Sequence, residues 1–365
     1  MLKVITPRLA ILLLLAGLLL SACTSIGGPT PTEVEIIFDP MEAQTQAAST
    51  PVSTPTLRPT PTATATLSPT EIPTPTNTLD PYHTLIVQGI QQREAGQFDQ
   101  SIATLSEAIK MDAANPEAYI QRGITHNVSG NADQALVDFN FALNYDPNSA
   151  EAYNARGVAW TQKNQIKQAI LDFDRALELK PDYLGAFTNR GIAHLNRGIN
   201  EQNLEEIDAA FVDLARAVDL EPDNPEVYFN RGQAYLIASQ TVGDPSYFDL
   251  CIASFNQAIA LDATNPESFN KRATCSVLKS DFESAYNDFS EAIRLAPQAA
   301  RYYLSRATLH PDVGELDTAM ADAQMVLDLT QGVEATSEIT EMRTTAEELL
   351  QEFTTLSTTT QTPQP

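Results

Sequence analysis

One register runs through most of this chain. A small residue recurs at Gly89, Gly123, Gly157, Gly191, Gly232, Ala273 and Ala307, at spacings of 34, 34, 34, 41, 41 and 34 residues. A period of that length is one helix–turn–helix unit, and a chain that repeats it buries its apolar faces by stacking unit on unit. Four residues before each anchor stands a large side chain: Leu85, Tyr119, Tyr153, Phe187, Tyr228, Phe269 and Tyr303. Further on, a second small residue recurs at Ala108, Ala142, Ala176, Ala217, Ala258 and Ala292, then Val326. Three residues before it comes another bulky group, Leu105, Phe139, Phe173, Leu214, Phe255 or Phe289. The pattern predicts that the small anchor on a first helix admits a second helix at close range while the rings fill the gaps beside it. Asn115-Pro116-Glu117, Asn224-Pro225-Glu226 and Asn265-Pro266-Glu267 read as N-cap, proline at N1 and a carboxylate on the positive helix end. Pro147, Pro181, Pro222 and Pro297 read as stops after second helices.

These units resemble tetratricopeptide repeats, in which an aromatic residue precedes a small one by four positions, alanines line the second helix and a proline closes the unit. The segment Glu151–Pro181 shows the pattern best, and the second, third and fourth repeats follow it nearly throughout. The first departs from it with Gln88 and Ser101, and the seventh with Pro311 inside its first helix. Degenerate outer units suit ends that meet water on one side. The resemblance spans residues 82–331 and implies an all-α fold, an α-α superhelical solenoid of about seven helix-turn-helix units. It also implies a mode of action, recognition of a protein or peptide on a stacked helical surface.

What precedes the repeats is of two kinds. Residues 1–23 carry Lys3 and Arg8, then the apolar run Ala10–Leu20, then Leu20-Ser21-Ala22-Cys23. Positive end, short apolar core and small residues are the marks of an export signal. The tetrad resembles the lipobox of bacterial lipoproteins, in which cleavage precedes the cysteine and its sulfur receives diacylglycerol. The resemblance thus implies lipidation at Cys23, anchoring to a membrane through that lipid, and a place in the bacterial envelope, on the outer face of the cytoplasmic membrane or on the outer membrane. Residues 24–81 are expected to be a disordered tether dominated by Thr, Pro and Ser, too poor in apolar surface to offset their ordering entropy. Proline favours an extended, polyproline-like path for it. Within it Glu33–Met41 is apolar, either a docking strand or a sticky piece of linker. After the repeats, Ile339, Met342, Ala346, Leu349, Leu350 and Phe353 fall on one helical stripe, which predicts a closing helix over 332–353 and a disordered tail over 354–365.

Arginine precedes the anchor at Arg122, Arg156, Arg190, Arg231, Arg272 and Arg306, and Asp138, Asp172, Asp213, Asp288 and Asp322 precede the ring position of the facing helix. The first repeat lacks both residues, and the fifth sets Arg231 against Ser254. This covariation within one chain predicts ion pairs between paired helices; the alternative is a row of arginines that binds a carboxylate ligand. The two 41-residue spacings place seven extra residues in the turns of the fourth and fifth units, around Gly198–Glu205 and Ser239–Tyr247. In the second of these, Gly243, Asp244 and Pro245 form a turn signal, with Tyr247 and Phe248 beyond it. Insertions of this kind map either to a binding edge or to neutral loop growth. Cys251 and Cys275 replace small residues on adjacent helices, and are either a disulfide or two buried thiols.

The resemblance places ligands along the first helices, at three before, one after and four after the anchor. Those positions hold Ile120, Ile124 and Asn127; Asn154, Val158 and Thr161; Thr188, Ile192 and Leu195; Phe229, Gln233 and Leu236; and Asn270, Thr274 and Val277. They suit a peptide read by apolar contacts and amides, or else they are internal packing. A clamp for a terminal carboxylate is not evident in them. The formal net charge of −25 argues against nucleic acid and anionic lipid surface as direct partners. His126, His194 and His310 share one repeat position with Trp160 and Tyr235, one per unit, which is no metal site. No HExxH, phosphate loop, GxSxG or paired-cysteine zinc spacing occurs. The expectation is therefore a membrane-anchored adaptor or scaffold with no catalytic set, metal or cofactor, whose partner is a protein or peptide; the alternative is a binder of glycan or cell-wall fragments.

Overall fold

The computed structural model describes residues 80–309 and 313–360. The export signal with Cys23, the tether up to residue 79, His310, Pro311 and residues 361–365 lie outside the described residues. Every element among the described residues is a helix. They run as α1 Pro81–Glu94, α2 Phe98–Met111, α3 Pro116–Val128, α4 Ala132–Tyr145 and α5 Ala150–Gln162. Next come α6 Ile166–Leu179, α7 Leu184–Glu201, α8 Leu204–Leu220, α9 Pro225–Val242 and α10 Ser246–Leu261. The last are α11 Pro266–Leu278, α12 Phe282–Leu295, α13 Ala300–Ala307, α14 Leu316–Thr330 and α15 Ser337–Thr360. Successive helices pair as antiparallel hairpins, the arrangement of an α-α solenoid of helix-turn-helix repeats.

The caps follow from the sequence. Asn115, Asn224 and Asn265 each accept the backbone N–H of the glutamate two residues on, at 2.9–3.1 Å. Asn203, Ser149 and Asp281 do the same work for α8, α5 and α12. The second helices α4, α6, α8 and α12 end two residues before Pro147, Pro181, Pro222 and Pro297, as a residue without an N–H requires.

The helices form two compact units: α1–α5, ending at Asn164, and α6–α15, starting at Gln165. The division falls in the turn of the third repeat, where the sequence shows an unbroken register. In the first unit, Tyr82, Ile86, Leu105 and Ala118 close α1, α2 and α3 together, and Ile120, Ile124, Leu136 and Phe139 fill α3 against α4. The anchor glycine is sterically required there, because a Cβ on Gly123 would stand 2.6 Å from the fully buried Phe139 ring. In the second unit the corresponding fillings are Leu214 with Ile192, Phe255 with Leu236, and Phe289 with Ala273.

The seven-residue insertions are not loops. α7 and α8 have 18 and 17 residues, and α9 and α10 have 18 and 16, against 13 or 14 in α3–α6. Seven residues are close to two helical turns of 3.6. One turn added to each helix keeps both buried faces in register, which is why the extra length goes into helix. Gly198 lies inside the extension, buried, where a Cβ would meet Ile207 at 2.6 Å. The turns stay short: Gln202 (φ 53°) reverses the chain between α7 and α8, and Gly243 (φ 74°) with Asp244 and Pro245 does so between α9 and α10.

The closing helix is longer than its apolar stripe implies. α15 begins at Ser337 and runs through Thr360, so residues 354–360 are helical and not a disordered tail. Thr354 and Thr355 donate their hydroxyls to the carbonyls of Leu350 and Gln351, one turn back, so a threonine-rich stretch continues the helix. Met342, Ala346, Leu349 and Leu350 pack on Ala300, Leu304, Ala323 and Val326, and Phe353 is fully buried.

Candidate protein-binding face

The arginine row is spent inside the hairpins. Arg122 grips Asp138 through Nε and Nη2 at 2.9 and 2.6 Å, and Arg190–Asp213, Arg272–Asp288 and Arg306–Asp322 repeat the bidentate geometry at 2.6–2.8 Å. The hydrogen bonds to aspartate are the main cause that holds the Arg122, Arg190 and Arg306 guanidinium groups above their ordinary range, against burial. The remaining Nη1 donor reaches the second helix of the preceding repeat: Ser106 from Arg122, Asn140 from Arg156, Asp174 from Arg190, Asn256 from Arg272 and Ser290 from Arg306, at 2.7–2.9 Å. The guanidinium groups of Arg122, Arg190, Arg272 and Arg306 thus tie their own hairpin and hook the previous one. Arg122, Arg156, Arg190, Arg231 and Arg272 also lie 5.2–5.9 Å from the ring three residues earlier, while Arg306 lies 5.5 Å from the Tyr286 ring. The fifth repeat is the exception: Arg231 donates to Ser254 at 3.2 Å. Its hairpin is instead joined to the next helix by a disulfide, Cys251 on α10 with Cys275 on α11, both fully buried with Cα atoms 6.3 Å apart.

The positions proposed to line a groove are largely interior. Ile120 and Ile124 belong to the core of the first unit; Ile192, Leu195 and Leu236 belong to that of the second. Asn127, Asn154, Val158, Thr188, Asn270 and Thr274 are buried as well. Thr161, Phe229, Gln233 and Val277 keep partial exposure. Asn127 is 1% exposed, and neither amide atom has a partner among the described residues. Asn270 donates to Glu267, and Thr274 donates to the Asn270 carbonyl. At the extended hairpins Tyr235 stacks on Phe211, with centroids 4.4 Å apart, and Tyr247 stacks on Tyr235 and lies tilted against Phe211, so Tyr247 is a packing residue. Gly243, Asp244 and Pro245 form the turn, and Phe248 is half-buried beside it.

What the first helices present instead is polar. α1, α3 and α5 are neighbours in the first unit, as are α7, α9 and α11 in the second. Across the former, Arg93 donates to the Gln121 carbonyl and side chain at 3.4 and 3.0 Å, and Gln121 donates to Glu151 at 3.4 Å. No carboxylate among the described residues lies within ion-pair distance of Arg93. Burial pulls its guanidinium below the ordinary value, against Glu94 and Glu151. In the second unit Tyr302 and Arg301 donate to Glu267 at 2.8 and 3.3 Å, with Lys271 at 3.5 Å. Burial alone would raise the Glu267 carboxyl; Lys271, Arg301 and the two hydrogen bonds bring it below the usual range. Burial, reinforced by Glu267, pushes the Tyr302 phenol up to about 12. These side chains sit two, five or six residues before the anchor, or four after it in Arg93. Charged and amide residues repeating at those offsets were the sequence signal for this row.

His126 and His194 pair with carboxylates inside their hairpins. His126 has Nε2 3.9 Å from Asp138, and burial lowers its pKa. His194 meets Glu206 at 2.7 Å, a carboxylate that Arg197 also binds. No cluster of three His, Cys, Asp or Glu that could hold a metal ion occurs among the described residues, and no described helix is long and apolar enough to cross a membrane.

Three segments match family models: residues 87–140 and 150–183 match models described as tetratricopeptide repeat, and 203–236 one described as TPR repeat. No curated protein matches the sequence. Among solved structures, a tetratricopeptide repeat protein of Parabacteroides merdae is 17% identical at a TM-score of 0.51, covering 73% of this chain and 99% of its own. A Thermus thermophilus TPR protein is 20% identical at 0.45, covering 53% and 98%. PilF of Pseudomonas aeruginosa is 23% identical at 0.48, covering 64% and 98%. The chain carries tetratricopeptide repeats, a module that mediates protein–protein interaction, and it shares the fold of the Parabacteroides protein.

Proposed function

We propose that this chain is a lipid-anchored scaffold of the bacterial envelope that binds another protein, through an extended or helical segment laid along its first helices. The observation that carries the binding site is the row Arg93–Gln121–Glu151 on consecutive first helices, which offers donors and acceptors from a scaffold already fixed by the arginine clasps. Pre-fixed donors lower the ordering cost of recognition. The apolar groove expected from sequence contributes packing, so recognition falls to polar side chains and to the part-exposed Phe229, Gln233 and Val277. The anchor rests on the sequence of residues 1–23 alone. The reading includes no catalytic step.

Two experiments test it. Crosslinking in the native cell is compared between wild type and an Arg93→Gln/Gln233→Arg variant whose helicity is unchanged. Loss of a discrete crosslinked protein in the variant is the expected result; an identical pattern contradicts the assigned face. Detergent-phase partitioning tests the anchor: the wild type is expected in the detergent phase and Cys23→Ser in the aqueous phase, and equal partitioning contradicts lipidation.

A further inference from the structure

The second repeat breaks its own pattern on the outside of the hairpin. Phe141 occupies a position that is Glu107, Arg175, Arg216 or Glu291 in other repeats, yet it is 48% exposed; Tyr145, one turn on, is 44% exposed. Four of the other repeats carry a charge at the Phe141 position, and the remaining two have Gln257 and Met325, so the hairpin does not require an aromatic ring there. Both rings lie near-parallel to Tyr119, at 28° and 29° and centroid distances of 5.5 and 5.8 Å, so they form a braced aromatic surface.

We propose that this surface docks the chain's own Thr/Pro-rich segment just before α1, residues 71–76, with Ile72, Pro73 and Pro75 against the Phe141 and Tyr145 rings. Two observations choose this occupant over another partner. The first is where the preceding chain enters. Asp80 immediately precedes α1, and two residues later the Tyr82 phenol oxygen accepts the Ala118 N–H at 3.2 Å, next in sequence to Tyr119. Chain entry and aromatic surface therefore share one end of the hairpins. Crossing from the first-helix row to the second-helix row is about two helix diameters, roughly 20 Å, or about seven residues of extended chain at 3.1 Å each. Pro73 and Pro75 stand seven and five residues before Asp80. The second observation is chemistry. Proline-rich segments are already extended, so they dock on exposed aromatic rings at low entropic cost. Docking there fixes how the tether leaves the repeats and keeps it off the first-helix face.

Limited proteolysis of the full-length chain tests this. Glutamyl endoprotease cuts after Glu71, inside the docked segment, and after Glu42, outside it. Cleavage after Glu71 is expected to accelerate about fivefold or more in Phe141→Arg, because cutting follows the undocked population. Cleavage after Glu42 is expected to stay constant. Arg175 and Arg216 show that the repeat tolerates arginine at this position. A Pro73→Gly/Pro75→Gly variant leaves the helices untouched and is expected to give the same acceleration. Equal Glu71 rates in all three proteins overturn the proposal. Protection that disappears on dilution assigns the surface to a second copy and overturns it as well.

Discussion

At the residue scale, the working part is an arginine with three duties: a bidentate bond to aspartate across the hairpin, one bond to the previous repeat, and a ring beneath it. Asp138 is almost wholly buried, so its loss leaves Arg122 half-buried with two donors unpaired. Asp138→Ala is expected to cost about 2–3 kcal/mol in urea unfolding. Ser254→Asp, which gives Arg231 the partner other repeats have, is expected to raise stability by about 1 kcal/mol. His126 adds a pH term. Burial holds its folded-state pKa below the ordinary 6.5, so the unfolded chain takes the proton first. Stability is therefore full above about pH 6.5 and falls as the pH drops below that value towards the folded-state pKa. A His126→Gln variant is expected to lose that slope, as read from Tm between pH 5 and 8. The Arg–Asp half of the clasp was legible in the sequence because the two residues vary together, Arg231 with Ser254 included. The hook was not, because Ser106, Asn140, Asp174, Asn256 and Ser290 share only hydrogen-bonding capacity, and residue identity hides it.

At the element scale, the hairpin is set by one absent side chain. Gly123→Val forces methyl groups onto the Phe139 ring and is expected to destabilise by about 2–4 kcal/mol, with the loss seen in thermal unfolding. The disulfide closes a loop of sequence separation 24. On the chain-entropy account, Cys275→Ala is expected to cost about 3 kcal/mol, and wild-type protein under reducing agent is expected to lose a similar amount. It joins α10 to α11 beside the one hairpin whose arginine lacks a carboxylate. Helix starts and stops were readable because asparagine, proline and glutamate act locally. The insertions were misread as loops because composition does not reveal that seven residues divide into one turn per helix. The length of α15 was misread for a related reason, since its threonines satisfy their hydroxyls within the helix.

At the scale of the whole molecule, the period in the small residues was enough for fold class, because stacking is the only way such units bury their apolar faces. The binding face was less legible. Position offsets identify which residues lie on first helices, but burial depends on how closely neighbouring helices approach, so Ile124, Ile192 and Leu195 became core. Arg93 stands in the degenerate first repeat and Gln121 at two before the anchor, so the groove positions read from the sequence pass over both. The account's central claim is that partners engage the first helices. A photocrosslinking amino acid placed at Arg93 or Gln233, on first helices, is compared in cells with one at Leu171 or Val212, which are 68% exposed on second helices. The account predicts a discrete adduct from Arg93 and one from Gln233, and none from Leu171 or Val212; adducts from the second-helix positions alone would contradict it.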